Sequence, residues 1–165
     1  MLHPDTVSID SVIIAMYESI SGFAGQPRDW ERDRRLYVPG ARLVPTRPLP
    51  GGGAAADVFD IDGYIASRTP FFAENDFFEI EIARREFRFG SMAHVLSAYE
   101  GRKAPGGELV KRGVNSIQLF HDGERWWVVS ILWDNERPDS PMPEWAEKER
   151  AHSREFPRPP DGGEG

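Results

Sequence analysis

At 165 residues the chain is sized for one domain around a single core, too short for two ordinary domains and a linker. Its 27 Asp and Glu against 20 Lys and Arg leave a net charge of −7, which argues against nucleic acid and anionic lipid as partners. Cysteine is absent, which excludes disulfides, thiolate metal sites and cysteine nucleophiles; with no secretory pattern at the start and no membrane-spanning run, the expected location is cytoplasmic.

Near the N-terminus Ile9, Val12, Ile13, Met16, Tyr17 and Ile20 recur at steps of three and one, the stripe of an amphipathic helix that Ser8 caps and Gly22 ends. A shorter helix is predicted from about Asp29 to Tyr37, carrying Trp30 and Leu36 among charges, before Pro39 and Gly40 break it. Segments 41–44 and 55–59 flank prolines and Gly51-Gly52-Gly53, the composition of a loose hairpin rather than of a phosphate loop, which would need a lysine and a strand-to-helix setting. Asp60 then caps a third helix with Ile61, Tyr64, Ile65 and Phe72, limited or kinked by Pro70.

From Phe77 the period changes to two: Phe78, Ile80 and Ile82 alternate with Glu79, Glu81 and Ala83. Further strands are predicted over 92–100, 110–120 and 125–133, the last two joined by the Asp122-Gly123 turn of a hairpin. Such a meander makes an antiparallel sheet. The domain therefore spans residues 1–135. Residues 136–165 form a proline-rich, charged tail, at best partly ordered where Trp145 or Phe156 docks.

This order of elements, with the stretches Phe77 to Arg85, Gly90 to Glu100, Arg112 to Phe120, Arg125 to Trp133 and the closing Pro141-Met142-Pro143, resembles an uncharacterised bacterial branch of the nuclear transport factor 2 (NTF2)-like superfamily. That superfamily includes ketosteroid isomerases and SnoaL-like cyclases and dehydratases, so the resemblance is specific for fold and unspecific for chemistry. It implies an α+β, cone-shaped fold in which a curved antiparallel sheet packs against three N-terminal helices around a pocket for a small, largely apolar organic molecule. Beside the isomerase pattern, Tyr17 matches the tyrosine that donates to the developing oxyanion, while the general base falls on Pro45, which has no acceptor side chain. The protonated acid of the oxyanion hole falls on Ser116, and the aromatic that closes the pocket falls on Trp133. The resemblance thus implies either chemistry of the isomerase, dehydratase or cyclase type with its base unidentified, or a non-catalytic carrier or assembly module.

The expected pocket is lined by Tyr17, Trp30, Tyr99, Arg112, Ser116, Gln118, Trp127 and Trp133. Tyr17 is either a donor to the ligand or a core tyrosine satisfied by backbone. Arg112, Val114, Ser116 and Gln118 share one strand face, which the isomerase pattern turns toward the pocket; inverted parity would turn it to solvent. Glu79 and Glu81 read as a solvated face or as paired pocket carboxylates, and His94 groups with Leu96 and Ala98 away from the pocket. In 126–133 both faces are apolar, which suggests a homodimer through the convex sheet face, or cover by the tail and Trp145. No metal constellation, nucleophile elbow or redox motif is present, and no cofactor is expected.

Overall fold

The computed structural model describes residues 3–152. After a single 3-10 turn, helix α1 (Ile9–Ser19) begins at a reciprocal cap in which Ser8 Oγ accepts from the Ser11 amide at 3.1 Å and Ser11 Oγ accepts from the Ser8 amide at 3.1 Å. Helix α2 (Trp30–Arg34) is shorter than its predicted span of 29–37. The residue before a proline is pushed toward extended backbone, and Val38 precedes Pro39, so the chain has already entered strand β1 (Tyr37–Pro48). Pro39 and Gly40, with Gly40 at φ 81°, sit in an irregularity of that strand rather than ending a helix.

Strand β2 (Ala54–Ala56) returns alongside β1 after the three glycines, and helix α3 (Ile61–Glu74) starts where the Asp60 carboxylate accepts from the Gly63 amide at 2.7 Å. Four long strands follow: β3 (Phe78–Phe89), β4 (Met92–Arg102), β5 (Leu109–His121) and β6 (Trp126–Asn135). They form one six-stranded sheet in the order β2-β1-β6-β5-β4-β3. The meander β3 to β6 is antiparallel, whereas β1 lies parallel to β6, a pairing that joins the two halves of the chain.

Helices α1 and α3 cover one face of this sheet, burying Ile13, Met16, Leu36, Leu43, Val95, Ile117, Leu119 and Val128 in the main core. The other face is crossed by residues 136–149. Helix α4 (Glu144–His152) packs Ala146, with Met142 before it, onto Ala83 and Ala98, while the Arg85 guanidinium lies 5.3 Å from the centre of the Trp145 ring. Arg112 ties the segment down through Glu136, with both contacts at 2.7 Å, and through Glu147 at 2.7 Å. The expected tail thus divides: 136–152 folds back on the sheet, and 153–165, with Phe156, lies outside the described residues.

Two bulges decide which side chains face the helices. Ile82 has no partner between the Glu81–Tyr99 and Ala83–Ala98 pairs, and Val129 has none between Gln118–Ser130 and Leu119–Val128. Each extra residue reverses the alternation beyond it. Trp126, Val128, Ile131 and Trp133 therefore face inward together, and Trp127, Val129, Ser130 and Leu132 face outward.

Candidate functional site

Between α1, α3 and the inner face of the sheet lies a cavity of about 270 Å³. Its walls are aromatic: Tyr17 from α1, Tyr37 from β1, Tyr64 and Phe72 from α3, Phe77 before β3, Tyr99 from β4 and Trp133 from β6. Two inward glycines make room for these rings. A Cβ on Gly101 would come within 2.5 Å of the Phe77 ring, and one on Gly113 within 2.3 Å of the Tyr99 hydroxyl. Tyr99 accordingly lies across β5 and donates to Asn135 Oδ1 at 2.6 Å.

Besides the tyrosine hydroxyls, polar groups enter this apolar shell at five points: Asp33, Arg68, Glu79, Lys111 and Asn115. Asp33 is 1 % exposed; its Oδ1 accepts from the Tyr37 hydroxyl at 3.4 Å and its Oδ2 has no partner. Burial pushes its carboxyl up to about 7, against the Tyr37 hydrogen bond. Glu79 is also buried, and burial pushes it up to about 7 against the pull of the Lys111 ammonium. Burial in turn holds Lys111 below the ordinary lysine range, opposed by Glu79 and reinforced by Arg68. The Lys111 Nζ stands 5.1 Å from the centre of the Phe77 ring and 6.0 Å from that of Tyr99.

The protons of the tyrosines can be assigned. Ser97 Oγ donates to Glu81, which also binds Arg84, so the Tyr17 hydroxyl, 2.7 Å from Ser97 Oγ, must be the donor of that pair. Tyr17 also accepts from Asn115 Nδ2 at 3.0 Å. Tyr37 donates to Asp33 and Tyr99 to Asn135. Tyr64 alone has no hydrogen-bond partner among the described residues, and its ring stands edge-on to Trp133 at 5.9 Å and to Trp30 at 6.4 Å. Burial, with the charges of Asp33 and Glu79, raises its pKa above the ordinary tyrosine value, so the hydroxyl keeps its proton. The available donor of the cavity is therefore Tyr64, and the candidate proton acceptors are Glu79 and Asp33.

No family model matches the sequence, and no curated protein matches it. Solved structures do match the backbone. A protein of unknown function from Mycobacterium tuberculosis superposes with a TM-score of 0.57 at 12% identity, over 87% of this chain and 88% of its own. An uncharacterised protein with a cystatin-like fold from Caulobacter vibrioides gives 0.52 at 14% identity, over 79% of this chain and 89% of its own. The fold is NTF2-like. A third structure, provisionally named as an aromatic ring hydroxylase from Novosphingobium aromaticivorans, gives 0.52 at 16% identity, over 79% of this chain and 87% of its own. Identities this low speak for the NTF2-like backbone and not for a shared reaction.

Within the NTF2-like cone, three of the eight expected pocket residues, Tyr17, Tyr99 and Trp133, meet at the cavity. Trp30 stands behind its wall, against Tyr64 and Phe72. The other four are placed on the outer face. Arg112 binds Glu136 and Glu147, Ser116 pairs with His94 Nε2 at 2.8 Å, and Gln118 accepts from Ser130 at 2.9 Å. Trp127 donates to Asp122 at 2.7 Å beneath the Arg125 guanidinium. The reason is register: Ser116 is paired with Leu96 and Gln118 with His94, and directly paired residues share a face. Expecting His94 outward and Gln118 inward was therefore inconsistent. The inward face of β5 is Lys111, Gly113, Asn115, Ile117 and Leu119, and Asn115 rather than Ser116 reaches Tyr17.

Tyr17 is also corrected as a ligand donor, since its proton is committed to Ser97. Glu79 and Glu81 both face inward, Glu81 bound by Arg84 and Glu79 open to the cavity. The interior glycines of β4 and β5 were the signal that could have fixed this parity. Asp33, within Trp30-Glu31-Arg32-Asp33-Arg34, carries no sequence mark that separates it from a surface acid.

Proposed function

We propose that the cavity binds a small, largely apolar carbonyl compound and transfers a proton on it, as an isomerase or dehydratase does, with Glu79 taking the proton and Tyr64 donating to the carbonyl oxygen. The observation that carries this reading is the buried Glu79 carboxyl, bound to no hydrogen-bond donor among the described residues and held at about 7, in one aromatic cavity with the Tyr64 hydroxyl, which is unpaired among them. A base whose pKa lies near the working pH is both available and strong enough to act, and such a group contributes about 10²- to 10⁴-fold to rate. Asp33, whose carboxyl is likewise raised to about 7, keeps a second proton in the cavity. The general base that Pro45 cannot supply comes instead from β3.

The test is exchange of the α-protons of cyclohexenone into heavy water, followed by NMR. The protein should accelerate it, and Glu79→Gln should remove about 100-fold of that acceleration while Tyr64→Phe removes less. Exchange equal to that in buffer, or unchanged in Glu79→Gln, rejects the catalytic role and leaves a non-catalytic carrier.

A second reading concerns assembly. The outer sheet face beyond α4 exposes Phe87, Met92, Phe120 and Leu132, at 60, 60, 41 and 46 %. We propose that a second copy of the chain covers it, giving a homodimer through the convex face. Light scattering should give twice the 18.7 kDa chain mass; a monomer at all concentrations defeats this reading.

A further inference from the structure

The cavity opens between α3 and the start of β5, where Phe71 and Val110 are 38 and 42 % exposed. Two cations stand at this opening. Arg68 lies one turn before Phe71, with its guanidinium 5.8 Å from the centre of the Tyr64 ring, and Lys111 follows Val110 over Phe77 and Tyr99. Among the described residues, no carboxylate forms an ion pair with either. The contrast with the other lysines is plain: Lys103 pairs with Glu108 at 2.9 Å and Lys148 with Glu144 at 2.5 Å.

Burial holds Lys111 below its ordinary range and Arg68 adds to this against the pull of Glu79, so two like charges stand together at the mouth and neither has an ion-pair partner among the described residues. Glu79 attracts Lys111 from within the cavity but forms no ion pair with it among the described residues. Placing like charges together at an apolar mouth is costly unless an anion joins them.

We infer that the ligand of this cavity carries a carboxylate, held at the mouth by Arg68 and Lys111, with its apolar body and its carbonyl directed inward toward Tyr64 and Glu79. This rests on the cavity being the ligand site proposed above, and it narrows the substrate class to small unsaturated or aromatic organic acids. The polarity of the cavity sets the orientation: cations at the mouth, rings along the walls, and the acids Asp33 and Glu79 inside, whose ionised forms would repel a carboxylate. A flat acid also satisfies Lys111 without displacing it from the Phe77 ring.

The test is calorimetric titration with benzoate and cinnamate against their neutral amides, at low salt. The carboxylates should bind about tenfold more tightly than the amides, with an affinity that falls as salt rises. Lys111→Met and Arg68→Met should each remove that tenfold preference, and Lys111→Arg should restore it because the charge is kept. Equal binding of acid and amide, no binding of any of the four, or a preference that survives both methionine variants overturns the assignment. The readings fail separately: a Glu79 carboxyl found by carbon NMR to ionise in the ordinary glutamate range removes the proton-transfer role and leaves the carboxylate preference standing.

Discussion

At the scale of the residue, the two buried acids set a pH dependence. The folded-state values of Asp33 and Glu79 are raised to about 7, above the ordinary 3.8 and 4.5 of these groups. Between those limits the folded protein holds protons that the unfolded chain has released, so stability falls as pH rises from about 4 to about 7 and is level above. In Asp33→Asn the amide oxygen still accepts from Tyr37 and no charge is buried. Urea unfolding at about pH 4.5 and about pH 8 should show that this variant loses less stability between the two than the parent does, with a ceiling of roughly 3 kcal/mol. Glu79 keeps part of the slope in that variant. Identical slopes in the two proteins would show that Asp33 ionises normally.

At the scale of the element, the inner face of β5 shows how a strand shapes a cavity by omission. A Cβ at Gly113 would meet the Tyr99 hydroxyl at 2.3 Å and the Asp134 carbonyl at 2.4 Å, and a carbonyl within a sheet cannot swing aside as a flexible side chain can. Gly113→Ala should therefore cost at least about 2 kcal/mol in chemical denaturation, within the range of overpacked cores. Adding Tyr99→Phe removes one clash and should recover only part of that loss. Full recovery, or a loss below about 0.5 kcal/mol, would mean that β5 and β6 can separate to admit the methyl group. The bulges at Ile82 and Val129 act at the same scale. They bring Glu81 and Arg84 onto one inward face and let Trp126, Val128, Ile131 and Trp133 serve one core, although their spacing in sequence is not a strict alternation.

At the scale of the whole molecule, α4 and the outer face divide the sheet's second side. Helix α4 shields Ala83 and Ala98, and Arg112 anchors it through Glu136 and Glu147, so the apolar surface left over lies toward Phe87, Met92, Phe120 and Leu132. Leu132→Arg at that surface should lower the mass seen in light scattering if a second copy covers it, without touching the cavity on the opposite face. The sequence by itself determined α1, α3 and the four-strand meander in their order, because helix caps, the change of period at Phe77 and the Asp122-Gly123 turn are local signals carried by neighbouring residues. It also marked Tyr17, Tyr99 and Trp133 for the cavity. Only the tertiary structure decided the rest. Facing in β5 depends on its register with β4, and facing in β6 depends on a bulge, so the isomerase resemblance and a strict alternation turned Arg112, Ser116, Gln118 and Trp127 to the wrong side. Asp33, Glu79 and Lys111 acquire their character from burial among chain-distant rings, and a shift in ionisation produced by desolvation has no counterpart in the order of residues along the chain.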